Sequence, residues 1–100
     1  MLNLDLIGKI ISHVQFVYDY VQIYFDDDSI LSIYNSCNLG KREVPCVIGR
    51  RIASIDCTKG TSIKFTVDCT FVISVDLRDE SYRSPEALQY LLADGRRIVI

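Results

Sequence analysis

The amino-acid sequence predicts a mainly β fold: two repeated three-stranded antiparallel meanders forming a β-sandwich or curled sheet. A short C-terminal helix or hairpin and a final strand follow them. Three observations predict this. The stretch Leu6-Ile7-Gly8-Lys9-Ile10-Ile11-Ser12-His13-Val14 returns forty-one positions on as Val47-Ile48-Gly49-Arg50-Arg51-Ile52-Ala53-Ser54-Ile55. Val21, Ile23 and Phe25 followed by Asp26 recur at an offset of forty-two as Ile63, Phe65 and Val67 followed by Asp68, and Leu31 and Ile33 recur as Ile73 and Val75. Within each copy apolar and polar residues alternate with period two, as they do in a strand buried on one face. The change of offset places one extra residue in the first loop of the second copy.

Residues 6–15 carry several β-branched side chains and read as the first strand. Phe16 to Asp19 form a connection. In residues 20–26, Val21, Ile23 and Phe25 fall on one face, and Tyr20, Gln22, Tyr24 and Asp26 on the other. Asp26-Asp27-Asp28-Ser29 suits a tight turn, because short polar side chains supply local hydrogen bonds. Residues 30–35 then read as a third strand. Residues 36–46, with Gly40 and Pro45, form a linker. The second meander is expected at about 47–57, 61–68 and 70–77, with Gly60 able to take a positive φ in its first turn. Gly8 and Gly49 open equivalent strands, each marking a bend or a close backbone approach.

The C-terminal part admits two readings. Ser84-Pro85-Glu86 has the chemistry of a helix start, and Ala87, Leu88, Leu91 and Leu92 lie at helical spacing. Against this, Asp94-Gly95 is a strong hairpin signal, and Arg96-Arg97-Ile98-Val99-Ile100 reads as a strand. In both readings the last five residues join the sheet.

One hundred residues support a single domain, 1–100, with the internal repeat at 6–35 and 47–76 and a C-terminal segment at 82–100. At 49% hydrophobic and 24% charged residues, with little Gly or Pro, the chain is globular rather than disordered. A formal net charge of -2 argues against general nucleic-acid binding, which calls for a basic face. No segment reads as a signal peptide, since Asp5 and Lys9 break the only candidate, and no apolar run is long enough to span a membrane. A cytoplasmic location is therefore expected. Cys37, Cys46, Cys57 and Cys69 form no CxxC pair and are expected to be reduced thiols acting as small apolar fillers.

Nothing in the sequence forms a catalytic or metal-binding constellation. His13 has no nucleophile, carboxylate or second ligand at a recognisable spacing, and its repeat counterpart is Ser54. The three consecutive aspartates lack the spread of ligands that a calcium loop needs. No phosphate-binding loop or nucleophile elbow occurs. The expectation is a protein without catalytic residues, cofactor or metal.

The repeat offers a sharper clue, because one copy is an internal comparison for the other. Their apolar positions match, whereas Tyr20, Tyr24 and Tyr34 stand where the second copy has Ser62, Thr66 and Asp76, and Gln22 stands where it has Lys64. Residues 1–35 hold Asp5, Asp19, Asp26, Asp27 and Asp28 against Lys9 alone. Tyrosine is favoured at interfaces, since it buries much area with few rotors and keeps a polar tip. A partner-binding face made of Tyr20, Gln22, Tyr24, Tyr34, Asp19, Asp26, Asp27 and Asp28 is therefore expected, unless the rings pack under the C-terminal segment as core. The order Ile-Gly-x-x-Ile, alternating strands, a second such unit, then Tyr82-x-x-Pro85-Glu86-Ala87 and a terminal apolar strand resembles small bacterial immunity proteins of contact-dependent inhibition and related polymorphic toxin systems. That resemblance implies a non-enzymatic cytoplasmic protein that binds and blocks a cognate toxin, many of which are nucleases. The alternative expectation is a small structural domain forming a homodimer through a sheet edge.

Overall fold

The computed structural model describes residues 5–68, 70–82 and 85–100. Among them the elements are β1 (Ile11–Val17), β2 (Tyr20–Phe25), β3 (Ile30–Ile33), β4 (Ile52–Thr58), β5 (Ser62–Val67), β6 (Phe71–Asp76), β7 (Leu88–Leu91) and β8 (Arg97–Val99). The strands form two antiparallel sheets, one of five in the order β1-β2-β3-β7-β8 and one of three in the order β4-β5-β6. The linker holds a 3₁₀ turn, Lys41–Glu43, that runs into an α-helical turn, Val44–Val47, with Pro45 at its start. Pro has no N–H to lose there and its fixed φ suits a first turn.

The two meanders are built alike because their apolar alternation is alike. Val21, Ile23 and Phe25 of β2, and Ile63, Phe65 and Val67 of β5, are all buried. So are Leu31 and Ile33 of β3 and their counterparts Ile73 and Val75 of β6. The inner faces of both sheets contribute to one core. Both first strands carry an irregularity at the same place, between Ile11 and His13 and between Ile52 and Ser54. The loops differ as the two offsets require: Val17 pairs with Tyr20 across two residues, Thr58 with Ser62 across three.

The glycine stretches join the copies. Gly8 and Gly49 have φ of +91° and +79°, a region that costs glycine little and a β-carbon more. Each reverses the chain so that the next residues run antiparallel to the other copy. The Gly8 N–H donates to the Ile52 carbonyl at 2.8 Å, and the Gly49 N–H donates to that of Ile11 at 2.8 Å. The Ile11 N–H reaches the Arg50 carbonyl at 2.9 Å, and the Ile52 N–H that of Lys9 at 3.0 Å. Every bond has its repeat image, so a pseudo-twofold relates the meanders. A translation would have given a parallel contact. The first strands accordingly start later than the alternation suggests, at Ile11 and Ile52 rather than at residues 6 and 47. Leu6 and Val47, both fully buried, instead end helical turns that precede the glycines.

The C-terminal alternatives resolve as a hairpin. Ala87, Leu88 and Tyr90 are buried while Gln89 and Leu91 are half-buried, which is a period of two and not of 3.6. The decisive constraint is β3, whose outer backbone groups would otherwise form an unpaired sheet edge. It pairs with β7 from Ile30 opposite Leu91 to Ile33 opposite Leu88. Gly95, at φ +94°, turns the chain into β8, and Asp94 accepts the Arg96 N–H at 3.0 Å. Ser84 lies outside the described residues. The edge of β6 is covered differently, by the linker: Cys37 bridges to Val75, and Asn38 exchanges bonds with Ser74 and Val72. Of the three described thiols, only Cys37 packs against the core, whereas Cys46 and Cys57 are exposed and thus do not act as fillers. Cys69 lies outside the described residues.

Phe65 is fully buried in the centre of the smaller sheet. Removing so large a side chain forfeits its transfer free energy and leaves a cavity, so Phe65→Ala should lower stability by about 3–5 kcal/mol. Urea unfolding of parent and variant measures it. A change below about 1 kcal/mol would contradict the packing described, since surface substitutions rarely exceed about 0.5 kcal/mol.

Candidate functional site: the outer face of the five-stranded sheet

The five-stranded sheet buries one face in the core and turns the other outward. Cross-strand register sets the outward residues in rows. Tyr24 lies opposite His13 on β1 and Ile30 on β3; Ile30 lies opposite Leu91, and Leu91 opposite Arg97. In the next row Gln22 is flanked by Gln15 and Ser32, followed by Gln89 and Val99. At the start of β2 and just past β3, Tyr20 and Tyr34 meet as rings 5.3 Å apart at 49°.

The rings are held rather than loose. The Tyr24 hydroxyl donates to Gln22 Oε1 at 3.0 Å, and Gln22 Nε2 donates to Ser32 Oγ at 3.4 Å. The His13 ring lies 5.5 Å from that of Tyr24, tilted by 47°. Tyr20, Gln22, Tyr24 and Tyr34 are all half-buried. β7 and β8 extend the sheet sideways from β3 rather than crossing its outer face. The equivalent positions of the smaller sheet carry Ser62, Lys64, Thr66 and Asp76, which are short or charged.

The acidic residues sit at opposite ends of β2. Asp19 is exposed beside Tyr20, and Asp26 and Asp28 are exposed in the turn beyond Phe25. Asp27 is used differently. Its carboxylate forms an ion pair with Lys9, and it accepts the Ser29 N–H at 3.0 Å and the Ser29 hydroxyl. Ser29 in turn accepts the hydroxyl of Tyr90 at 2.9 Å, and the buried Tyr90 ring stands edge-on to Phe25 with centroids 6.1 Å apart. This chain of contacts ties the aspartate turn to the N-terminal segment and to β7. The three-aspartate turn therefore splits into one residue facing inward and two facing solvent. Sequence reading could not separate them, because the division depends on Lys9 and Tyr90, which lie far off in the chain.

Two features of the face were missed by sequence reasoning. One is its extension by Gln89, Leu91, Arg97 and Val99, which the alternation of Leu88-Gln89-Tyr90-Leu91 and the Asp94-Gly95 turn would have disclosed. The other is Tyr18, fully exposed at the tip of the β1–β2 hairpin with φ +49°. Among the described residues no group of three or more His, Cys, Asp or Glu is placed to hold a metal ion. No helix there is long and apolar enough to cross a membrane.

The arrangement can therefore present a preorganised, mixed aromatic and amide surface to a macromolecular partner, with carboxylates at both ends. Comparison with protein-family models, with curated proteins and with solved structures gave no match.

The Asp27 contacts give the fold an acid-sensitive point. Burial pushes the carboxyl up, but the Lys9 ammonium and the two Ser29 hydrogen bonds outweigh it and hold the group at about 2. A carboxyl depressed in the folded state stabilises above its unfolded value, near 3.8, and loses that contribution as pH falls from there towards 2. Asp76, held down to about 2 chiefly by hydrogen bonds from the Arg78 side chain and backbone, titrates in the same window. Asp27→Asn should thus show a shallower loss of stability between about pH 4 and 2 than the parent. Thermal melts across that range read it, and identical slopes would show that the Asp27 pair carries no pH dependence.

Proposed function

We propose that the protein is a non-enzymatic binding protein, of the toxin-immunity kind, that captures a basic protein partner on the outer face of its five-stranded sheet. The supporting observation is the asymmetry between otherwise matched repeats. The inner positions keep their apolar character in both copies, while only the first copy displays Tyr20, Gln22, Tyr24 and Tyr34 outward. A surface needed only for folding would have no reason to differ in this way. Half-buried rings restrained by hydrogen bonds lose little further freedom on binding. Asp19, Asp26 and Asp28 set carboxylates at both ends of the rings, where they would steer a basic surface and raise its association rate. Asp27, committed to Lys9, would act by holding the turn. The exposed His13 packs on Tyr24, which suits a place in this face. A cytoplasmic setting and a bacterial toxin as partner follow from the same reading.

A second reading is self-association. The outer edge of β8 has no neighbouring strand among the described residues, and Val99 is 49% exposed beside it. Pairing of two β8 edges would extend the sheet across a twofold.

The two readings separate experimentally. With a partner identified by co-purification, Tyr24→Ala should cost about 2 kcal/mol or more of affinity, chiefly through faster dissociation, while the melting curve stays close to the parent's. Neutralising Asp26 and Asp28 together should slow association and flatten its salt dependence. Undiminished binding by Tyr24→Ala would exclude this face. A concentration-dependent dimer abolished by Val99→Glu, with no partner recovered, would favour self-association.

A further inference from the structure

A buried amide stands where the other repeat has a leucine. At the offset that matches Ile33 with Val75, Asn35 matches Leu77, and both are buried, Asn35 at 3% exposure. The Asn35 Nδ2 donates to the Asp76 carbonyl at 2.7 Å, and its backbone N–H donates to that of Ala87 at 3.1 Å. A carbonyl only accepts, so the Asp76 bond fixes which end of the amide is which. The other end, Oδ1, has no hydrogen-bond partner among the described residues. Buried acceptors are seldom left so, because their lost hydration then goes uncompensated.

Asn35 also lines a cleft of about 260 Å³, at the end of β1 away from Gly8. The inner wall of this cleft is apolar. Val21, Ile33 and Leu39 are buried core residues, and Phe16 packs against that core. Tyr20 lines the cleft as well, whereas Asp76 does not. The donor end of the amide is therefore committed to a residue outside the cleft, and the acceptor end is the one left to it. An apolar wall with one unpaired acceptor calls for an occupant with a hydrophobic body and a hydrogen-bond donor. Size narrows the choice. A cavity of about 150 Å³ takes benzene, and pockets for drug-sized molecules begin near about 300 Å³, so one ring or two fused rings suit this space. Flat rings also gain from aromatic neighbours such as Phe16 and Tyr20.

We infer that this cleft binds a small planar molecule carrying an N–H or O–H, of the indole or phenol class, with that donor on Asn35 Oδ1. Such a site would work whether or not the outer face binds a protein. The ¹⁵N,¹³C-labelled chain is titrated with indole and, separately, with benzofuran, in which an oxygen replaces the N–H. Indole should shift the amides of Tyr20, Asn35, Ser36 and Leu39 saturably, with a dissociation constant of roughly 1 mM or below. The Asn35 side-chain carbonyl carbon should move with them, since its oxygen gains a bond. Benzofuran should bind at least about five-fold more weakly, because it leaves the acceptor unpaired. Asn35→Leu, which copies the second repeat, should erase the preference for indole. Equal affinities for the two rings in the parent, or an unmoved Asn35 carbonyl carbon at saturation, would overturn the assignment even if that variant failed to fold. Shifts centred on Gln22 and Tyr24 would overturn it too, as would silence up to the solubility limit. N-acetyl-tryptophan amide carries the same ring on a peptide and should bind more weakly than indole. Tighter binding of that probe would contradict a free ligand and assign the cleft to a tryptophan of a protein.

Discussion

Two glycine-led segments clasp each other at the centre of this protein, and the rest of the fold depends on that contact. Gly8 bonds to Ile52, Gly49 to Ile11, Ile11 to Arg50 and Ile52 to Lys9, all at 2.8–3.0 Å. Neighbouring bonds repeat the symmetry: the Asp26 N–H reaches the Ile10 carbonyl, and the Asp68 N–H that of Arg51. Buried backbone groups must be paired, so two chain segments that leave their helical turns at the same angle satisfy each other. A left-handed residue in each segment is the geometric condition, which is why glycine stands at both positions. Once the clasp forms, the two inner faces share one core that neither meander could close unaided.

The clasp also explains how a symmetric scaffold came to present an asymmetric surface. Each meander has a third strand whose far edge needs a cover. The linker covers β6 with a few bonds from residues 36–38, whereas the C-terminal hairpin covers β3 with two whole strands. Only the first sheet thereby becomes wide, and only its outer face carries tyrosines. Width and aromatic content coincide on one side of the molecule, which is what a binding surface of useful area calls for.

Much of this was legible in the residues. The repeat, the meanders, the extra loop residue and the importance of Gly8 and Gly49 all follow from local periodicity, which sequence displays directly. The C-terminal hairpin was only half legible: Leu88, Leu91 and Leu92 do lie at helical spacing, and the unpaired edge of β3 overrode that preference. The inward turn of Asp27 was not legible, because it depends on Lys9 and Ser29 and, through Ser29, on Tyr90. Nor was the exposure of Tyr18, since a tyrosine near a turn signals nothing until its backbone angle is known. The site residues were thus recognisable as a set, while their division into face, clamp and hairpin tip required tertiary contacts.

The central claim is that the two repeats stand or fall together through the clasp. Native-state hydrogen exchange of the Gly8, Ile11, Gly49 and Ile52 amides tests it most directly. If the clasp unites the meanders, all four should exchange with the same free energy, close to that of global unfolding. If the Gly8 and Ile11 amides exchanged by a separate opening, more than about 1 kcal/mol below Gly49 and Ile52, the meanders would be independent units and the account would fail.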